Sequence, residues 1–335
     1  MKVKSLPFVD LIALNSSGRV IHIDNHIQRK PMSVDDQKRH LGKNSILITC
    51  NYVFKEKKFD WSPNVVAVCH PFRELCTFPD RIQKHLFSES DFCDQINTHT
   101  SKRKSTSKQY DFVYFTINSM QGIYCKGLYL LRAIDIAAHK SGLKGLIVNY
   151  GPPNPKNKGQ PDPLAESVLN KCRKYMSSLK ATTMLNNLLK PKEISDITNN
   201  AKFVLFPNTR DASPRMIPET LVNNTPILLN KNIYGGWKYI DEQNGRMFDA
   251  PSLNDYWEKQ DNSIEEGFIE SLSKHMTEMI NTNFVNIADN YYKKYGFLNS
   301  ARRMADVFNN IQGSDYKMVG YAEWEQDMIN RRDLV

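Results

Sequence analysis

The sequence is poor in cysteine, and its cysteines show no paired arrangement. None of the six belongs to a Cys-x-x-Cys pair or has the spacing of a zinc site. We therefore predict a reduced, cytoplasmic protein in which most cysteines fill the core. The six are Cys50, Cys69, Cys76, Cys93, Cys125 and Cys172.

Long apolar runs are also missing. No stretch approaches the ~20 apolar residues that cross a bilayer, so we expect no transmembrane segment. The first residues, Met1 to Lys4, lack the apolar core of a secretion signal, which again favours the cytoplasm. No Gly-x-Gly-x-x-Gly follows a strand-like run, which excludes a dinucleotide-binding fingerprint. Any phosphate must therefore be held by other groups.

Motifs that read nucleic acid are absent, although the chain carries a net charge of +9. There is no helix-turn-helix, zinc pattern or RNA-binding aromatic motif. The densest basic run, 101–108, is rich in Ser and Thr and is typical of a flexible linker. We therefore expect no nucleic-acid partner. The positive charge fits an anionic small substrate or an anionic membrane surface.

What the chain does have, from Tyr110 onward, is an alternation of strand-like and helix-like segments. This pattern predicts an α/β fold with a parallel sheet covered by helices on both faces. Four shorter strand-like runs lie upstream, at 9–14, 20–24, 46–50 and 65–69. The downstream strands are predicted at 112–116, 146–149, 181–185, 203–206 and 226–229, and the helices at 126–141, 162–179 and 191–200.

The segment from Phe203 to Asp249 is the most informative, because two acids flank one of its loops. Asp211 and Glu219 lie eight positions apart, after one buried strand and before the next. Pro218 predicts a helix that begins there, with Glu219 in its first turn, where free N–H groups suit an anion. Loops at the carboxyl ends of parallel strands hold ligands in such folds. The alternative is that Glu219 only caps the helix and Asp211 is a surface acid.

This stretch resembles the acidic-x7-acidic signature of retaining GT-B glycosyltransferases, family 4 in particular. Asp211 stands where the family has its first glutamate, and Glu219 matches the second. Thr225-Pro226 match the Thr-Pro that starts the next strand, whereas Asn224 replaces the usual glycine. The resemblance implies that Asp211 contacts hydroxyls of a donor sugar and that Glu219 binds the ribose. It also implies that the loop between them faces the sugar and diphosphate, which adds Ser213, Pro214, Arg215 and Met216 to the expected substrate-binding residues.

A second resemblance concerns the diphosphate. Family members open a helix with Lys-Gly, and this lysine binds the diphosphate together with an upstream arginine. Lys126 matches the lysine, but no arginine occurs between Asp111 and Cys125. Arg210 or Arg215 is expected to supply the missing charge, because arginine binds phosphate bidentately.

The family's active-site histidine, which faces the donor sugar, has two candidates here. His26 follows a strand-like run where family members carry this residue, and we take it as a predicted catalytic residue. His70 follows another such run and is the weaker candidate. For either one, a structural hydrogen-bonding role is the alternative.

The resemblance implies a GT-B architecture, with two Rossmann-like domains that face each other across a cleft. We expect a reduced N-terminal domain on the acceptor side over 1–108. A C-terminal nucleotide-sugar domain is expected over 109–310. The last segment, 311–335, would carry a helix at 321–333 that returns to the N-terminal domain.

The implied activity is transfer of a sugar from a nucleoside-diphosphate donor to a hydroxyl acceptor such as a glycan, with retention of configuration. GDP-mannose is the first choice of donor because it is common in the family. We expect neither a metal nor a cofactor, and the oligomeric state stays open. Two alternatives remain. One is a nucleotide-sugar epimerase of the same fold. The other is a non-catalytic sugar-nucleotide-binding protein, which the missing arginine and the short N-terminal region favour.

Overall fold

The computed structural model describes most of the chain from residue 108 onward and shorter pieces before it. The described residues are 12–14, 23–24, 45–48, 63, 65–70, 73, 79–87, 90–91, 108–150, 163–187, 189–257, 262–296, 299–300, 302–303, 306 and 317–319. Predictions for His26 and for a helix at 321–333 fall outside them.

The described strands are β1 (Ile12–Leu14), β2 (Ile23–Asp24), β3 (Ser45–Ile48), β4 (Val65–His70), β5 (Gln83–Leu86), β6 (Tyr110–Thr116), β7 (Gly145–Asn149), β8 (Thr182–Asn186), β9 (Ala201–Phe206), β10 (Ile227–Asn230), β11 (Gly245–Phe248) and β12 (Lys317–Val319). The described helices are α1 (Met120–Lys126), α2 (Leu131–Lys140), α3 (Pro163–Tyr175), α4 (Pro191–Asn199), α5 (Met216–Val222), α6 (Leu253–Trp257), α7 (Asn262–Asn281) and α8 (Ile287–Lys294).

Two parallel sheets form the framework, which confirms the predicted α/β fold with Rossmann-like sheets. The larger sheet has the order β8-β7-β6-β9-β10-β11, and all of its neighbouring strands pair in parallel. This is the doubly wound order, in which the chain reverses direction across the sheet between β6 and β9. The smaller sheet has the order β2-β3-β4-β5, also parallel. Strands β1 and β12 form a separate antiparallel pair.

Strand β6 shows why the larger sheet is buried on both sides. Phe112 and Tyr114 belong to the core on one face, with α2 and α7, and Val113 and Phe115 belong to the core on the other face, with α5 and α8. Successive side chains of a strand point to opposite faces, so a continuous apolar run fills two cores at once. The run from Phe203 to Phe206 in β9 does the same.

The chain between β6 and β7 differs from the prediction of one helix over 126–141. Helix α1 ends at Lys126, a 3₁₀ turn covers Leu128–Leu130, and α2 begins at Leu131. The break occurs at Gly127, whose φ of 68° is left-handed and ends a helix readily. The prediction that Lys126-Gly127 opens a helix was therefore wrong. Lys126 lies in a last turn, where the helix dipole favours a cation.

Helix α5 begins at Met216, two residues before the predicted start at Pro218. Proline is tolerated there because N–H groups in the first turn need no helical acceptor. Glu219 does lie in the first turn, as predicted. Asn224 follows the helix in the left-handed conformation, with φ of 56°, which asparagine adopts more readily than most residues.

Gly127 brings α1 close to the end of β9, and this contact can be tested by comparison with Gly142. Both have left-handed φ, but a Cβ on Gly127 would lie 2.4 Å from the Pro207 carbonyl oxygen, whereas nothing lies within 4 Å at Gly142. We expect Gly142→Ala to cost about 1–2 kcal/mol in the free energy of unfolding. Gly127→Ala should cost about 1–3 kcal/mol more, because backbone must move. Equal losses in urea unfolding would contradict this contact.

Candidate functional site

A cavity of about 300 Å³ lies at the carboxyl ends of the central strands of the larger sheet. We call it the first cavity. It is located where the strand order reverses between β6 and β9, the position at which doubly wound folds bind ligands. Its polar lining consists of Lys126, Tyr150, Asn208, Asp211, Ser213, Arg215 and Glu219, and Pro214 and Met216 also contribute. Seven residues predicted from the sequence are thus brought together.

An ion pair between Lys126 and Asp211 is the central contact of the first cavity. The lysine Nζ lies 2.5 Å from the aspartate Oδ2, and the two side chains are only 17% and 12% exposed. Asn208 Nδ2 donates to the same oxygen at 2.9 Å. Burial lowers the pKa of Lys126, but the adjacent Asp211 outweighs it and the net shift is upward. The lysine is therefore a fixed cation.

Backbone contacts hold these two side chains in place. Thr209 donates to two carbonyl groups of α1, from its N–H to Cys125 at 3.2 Å and from its hydroxyl to Tyr124 at 2.7 Å. The buried Tyr114 hydroxyl donates to the Lys126 carbonyl oxygen at 2.8 Å. The Asp211 carbonyl oxygen accepts from Gly235 N–H at 3.0 Å. The chains that leave β6, β9 and β10 are thereby joined, and the ion pair is preorganised.

Glu219 is the second acid of the first cavity. Burial raises the pKa of its carboxyl to about 7, and Arg215 offsets this only partly. Within the described part of the chain, neither a side chain nor a backbone N–H donates a hydrogen bond to this carboxylate. The alternative in which Glu219 serves only as a helix cap therefore has no supporting contact. A carboxyl group that is partly ionised near pH 7 and has no described donor is suited to accept hydrogen bonds from the hydroxyl groups of a ligand.

Two polar groups of the first cavity were missed by the sequence reasoning. Asn208 is 2% exposed, and no described residue donates a hydrogen bond to its Oδ1. A buried acceptor without a donor is costly, so a ligand donor would relieve it. Tyr150 follows β7 as Asn208 follows β9, and burial raises the pKa of its hydroxyl, which stays protonated. Their positions just after parallel strands were the signal that could have identified both.

Ser213 connects the first cavity to the segment after β5. Its hydroxyl lies 2.7 Å from the Ser90 hydroxyl and accepts from the Ser90 N–H at 3.2 Å. Next to Ser90, the fully buried Asp91 pairs with Lys238 at 2.5 Å. Burial lowers the pKa of Lys238, and Asp91 opposes that shift. These contacts fix the smaller sheet's last strand against the site.

The remaining predicted residues lie elsewhere. Arg210 lines a different cavity of about 630 Å³, which we call the second cavity, and its guanidinium lies over the ring of Tyr124 at 5.4 Å. It does not line the first cavity, whereas Arg215 does. His26 lies outside the described residues. His70 is buried at the end of β4.

In the described ranges, no group of three or more His, Cys, Asp or Glu side chains is placed to hold a metal ion. Cys69 and Cys172 are buried free thiols and Cys125 is half-buried, in line with a core-filling role. No described helix is both long and apolar enough to cross a membrane.

The ion pair's contribution can be measured by a double-mutant cycle with Lys126→Met and Asp211→Asn. We expect a coupling of about 1–3 kcal/mol in the free energy of unfolding, because either single change leaves a poorly solvated partner. The control is Lys231–Asp249, which has the same 2.5 Å separation but side chains 49% and 60% exposed. That pair should couple by less than about 1 kcal/mol. Equal couplings would show that burial adds nothing at Lys126.

No protein-family model matches this sequence, and no curated protein is detectably similar to it. Its structure is similar to several solved glycosyltransferases. They include the pneumococcal O-GlcNAc transferase GtfA in complex with UDP and GlcNAc (10% identity, TM-score 0.43, 83% of this chain and 59% of that one). A glycosyltransferase from Rickettsia africae is 11% identical, with a TM-score of 0.46, and the match covers 81% of this chain and 72% of that one. Sucrose-phosphate synthase from Thermosynechococcus elongatus is 10% identical, with a TM-score of 0.43, and the match covers 81% of this chain and 70% of that one. This chain thus spans less than two thirds of GtfA. At these values we draw nothing about its chemistry from the likeness.

Proposed function

We propose that this chain is a glycosyltransferase that moves a sugar from a nucleoside-diphosphate donor to a hydroxyl acceptor. The observation that carries the proposal is the placement of Lys126, Asp211 and Glu219 in one cavity at the switch point of a parallel sheet. If Asp211 were only a surface acid and Glu219 only a helix cap, nothing would require both to line one cavity with the fixed cation Lys126. The family resemblance at the same residues supports a GT-B enzyme of family 4.

The departing diphosphate is held by the cations of the first cavity. Lys126 and Arg215 both line it, and Arg215 takes the place of the arginine that the family carries upstream. Bond cleavage between the sugar and the diphosphate leaves negative charge on the phosphate oxygen. A cation already oriented by Asp211 stabilises that charge without reorganisation, which lowers the barrier. The backbone N–H groups of Ser213, Arg215 and Met216 add donors beside them.

The donor sugar is held by oxygen atoms. Asp211 uses its Oδ2 for Lys126 and Asn208, and in the described residues no donor reaches its Oδ1. We assign that oxygen and the Oδ1 of Asn208, which accepts from no described donor, to sugar hydroxyls. Two further features of this proposal rest on the family resemblance alone. They are retention of configuration and a role for His26 as the histidine that faces the donor sugar.

Glu219 is assigned to the ribose. Its carboxyl lies in the first cavity on α5, and two adjacent ribose hydroxyls would supply the donors that the described side chains do not.

The chemistry needs no metal in this scheme, so transfer measured in EDTA should proceed undiminished. GDP-mannose is the first donor to test, and a glycan is the expected acceptor class. The cytoplasmic location also stays a prediction.

The deciding experiment is calorimetric titration with GDP-mannose, UDP-glucose and UDP-N-acetylglucosamine, followed by a search for products with an acceptor panel. Glu219→Ala should weaken binding of the preferred donor by about 1–3 kcal/mol, the cost of a lost charged hydrogen bond. Asp211→Ala should abolish turnover. Glu193→Ala is a matched control, because this glutamate also lies in a first helical turn but bonds to Lys190 N–H.

The outcomes separate the alternatives. Transfer to an acceptor supports the proposal, and interconversion of free donor sugars without an acceptor indicates the epimerase. Binding with neither reaction indicates a non-catalytic sugar-nucleotide protein. The absence of binding by every donor tested would overturn all three.

The raised pKa of Glu219 predicts a pH dependence. Its ordinary value is 4.5, and burial raises it to about 7 in the folded protein. Between these values the folded state binds more protons than the unfolded state, so this group's contribution to stability falls as pH rises. The ionised form accepts ribose hydroxyls better, so donor affinity should increase as pH rises through about 7. Nucleotide sugars suit the titration because their phosphates do not titrate in this window. The Glu219→Gln variant should lose the dependence, and a wild-type-like profile in that variant would exclude this role.

A further inference from the structure

The second cavity lies beside the first but on the other side of the loop that follows β9. With a volume of about 630 Å³, it is larger than the first and within the range of small-molecule sites. Adjacent residues of one loop point in different directions, because Arg210 lines the second cavity and Asp211 lines the first. The two cavities are therefore neighbours with separate linings.

We propose that the second cavity binds an anionic sugar, a monosaccharide unit that carries a carboxylate or a phosphate. The charge of the lining is the first reason. Arg210 is the one formally charged residue among the described residues that line it. No described residue accepts a hydrogen bond from its guanidinium, which leaves the planar donor group open for a bidentate anion.

The position of Arg210 is also fixed. Its guanidinium lies over the Tyr124 ring at 5.4 Å, a cation–π contact that orients the planar group. Its backbone N–H donates to the Tyr124 carbonyl oxygen at 3.4 Å, so the residue is tied to α1 at two points. An oriented arginine loses less entropy when it binds an anion than a free surface arginine does.

The rest of the lining suits hydroxyl groups attached to an apolar ring. Tyr124, Tyr129 and Tyr234 contribute aromatic surface. Asn232 donates to Asp249 at 2.6 Å, and no described donor reaches its side-chain oxygen. Asn254 makes no side-chain hydrogen bond with the described residues. Amides both donate and accept, which matches the hydroxyls of a sugar.

The floor of the second cavity is preformed. The Tyr129 hydroxyl donates to the Pro251 carbonyl oxygen at 2.8 Å, and Trp257 Nε1 donates to the Tyr129 carbonyl oxygen at 3.3 Å. The nearby carboxylate of Asp249 is paired with Lys231 at 2.5 Å, so its charge is offset at the rim. An anion can therefore enter without a rearrangement of the floor.

The test is titration of the full chain with glucuronate and glucose-6-phosphate, against glucose and AMP as comparisons. Glucuronate and glucose differ only in the carboxylate, so the charge effect is isolated. We expect both anionic sugars to bind at least about tenfold more tightly than glucose, in line with a charged hydrogen bond. AMP can also enter the first cavity, so the comparison uses the part of the binding that depends on Arg210, which should be smaller for AMP than for either anionic sugar.

Two arginine variants locate the ligand. Arg210→Gln should weaken binding of the anionic sugars at least about tenfold and leave binding of the preferred nucleotide sugar within about twofold. Arg215→Gln, the matched control from the first cavity, should show the reverse. Both arginines are exposed, so both variants should fold, and thermal unfolding checks this.

Three results would overturn the proposal. The first is that neither anionic sugar binds at millimolar concentration, and the second is that Arg210→Gln leaves their binding unchanged. The third is that Arg210→Gln weakens AMP binding as much as it weakens binding of the anionic sugars, which would make the second cavity a nucleotide site. The proposal does not rest on the donor assignment, because the sugar titration stands even if no nucleotide sugar binds the first cavity.

Discussion

One buried salt bridge, Lys126 to Asp211, organises the site. It joins the chain that leaves β6 to the chain that leaves β9, which are the two strands on either side of the sheet's reversal point. Two charges that are only 17% and 12% exposed are costly to desolvate, and their mutual contact offsets that cost. The same contact holds a cation at a cavity wall. The same ion pair therefore carries a desolvation cost and supplies the cation that the proposed chemistry uses.

The sequence allowed the strands of the larger sheet to be predicted because their apolar runs fill both cores, as Phe203 to Phe206 illustrate. It also allowed the residues of the first cavity to be grouped, since the family resemblance places Lys126, Asp211 and Glu219 in one site. The helix before Gly127 was missed because the apolar spacing that predicts a helix, from Leu128 to Ala138, begins only after the break. Both the left-handed φ of 68° and the close approach of Pro207 favour a glycine there, and the contact with Pro207 spans about 80 residues of sequence.

Other parts of the site could not be predicted from local patterns. Asn208 and Tyr150 carry no motif, and each becomes informative only when the parallel register of β6, β7 and β9 places strand ends side by side. The separation of Arg210 from Arg215 also depends on tertiary structure. The two lie five positions apart and were equal candidates for the diphosphate, yet they line different cavities.

In the loop after β9, the position of a residue along the backbone decides which cavity its side chain enters. Arg210 enters one cavity and Asp211 the other, while Thr209 is bonded to α1 through both its N–H and its hydroxyl. If the loop gained a residue before Arg210, the cation would take the Asp211 position in the first cavity, and if it lost one there, the carboxylate would take the Arg210 position in the second. Evolution can therefore vary which amino acids this turn contains far more freely than it can vary how many.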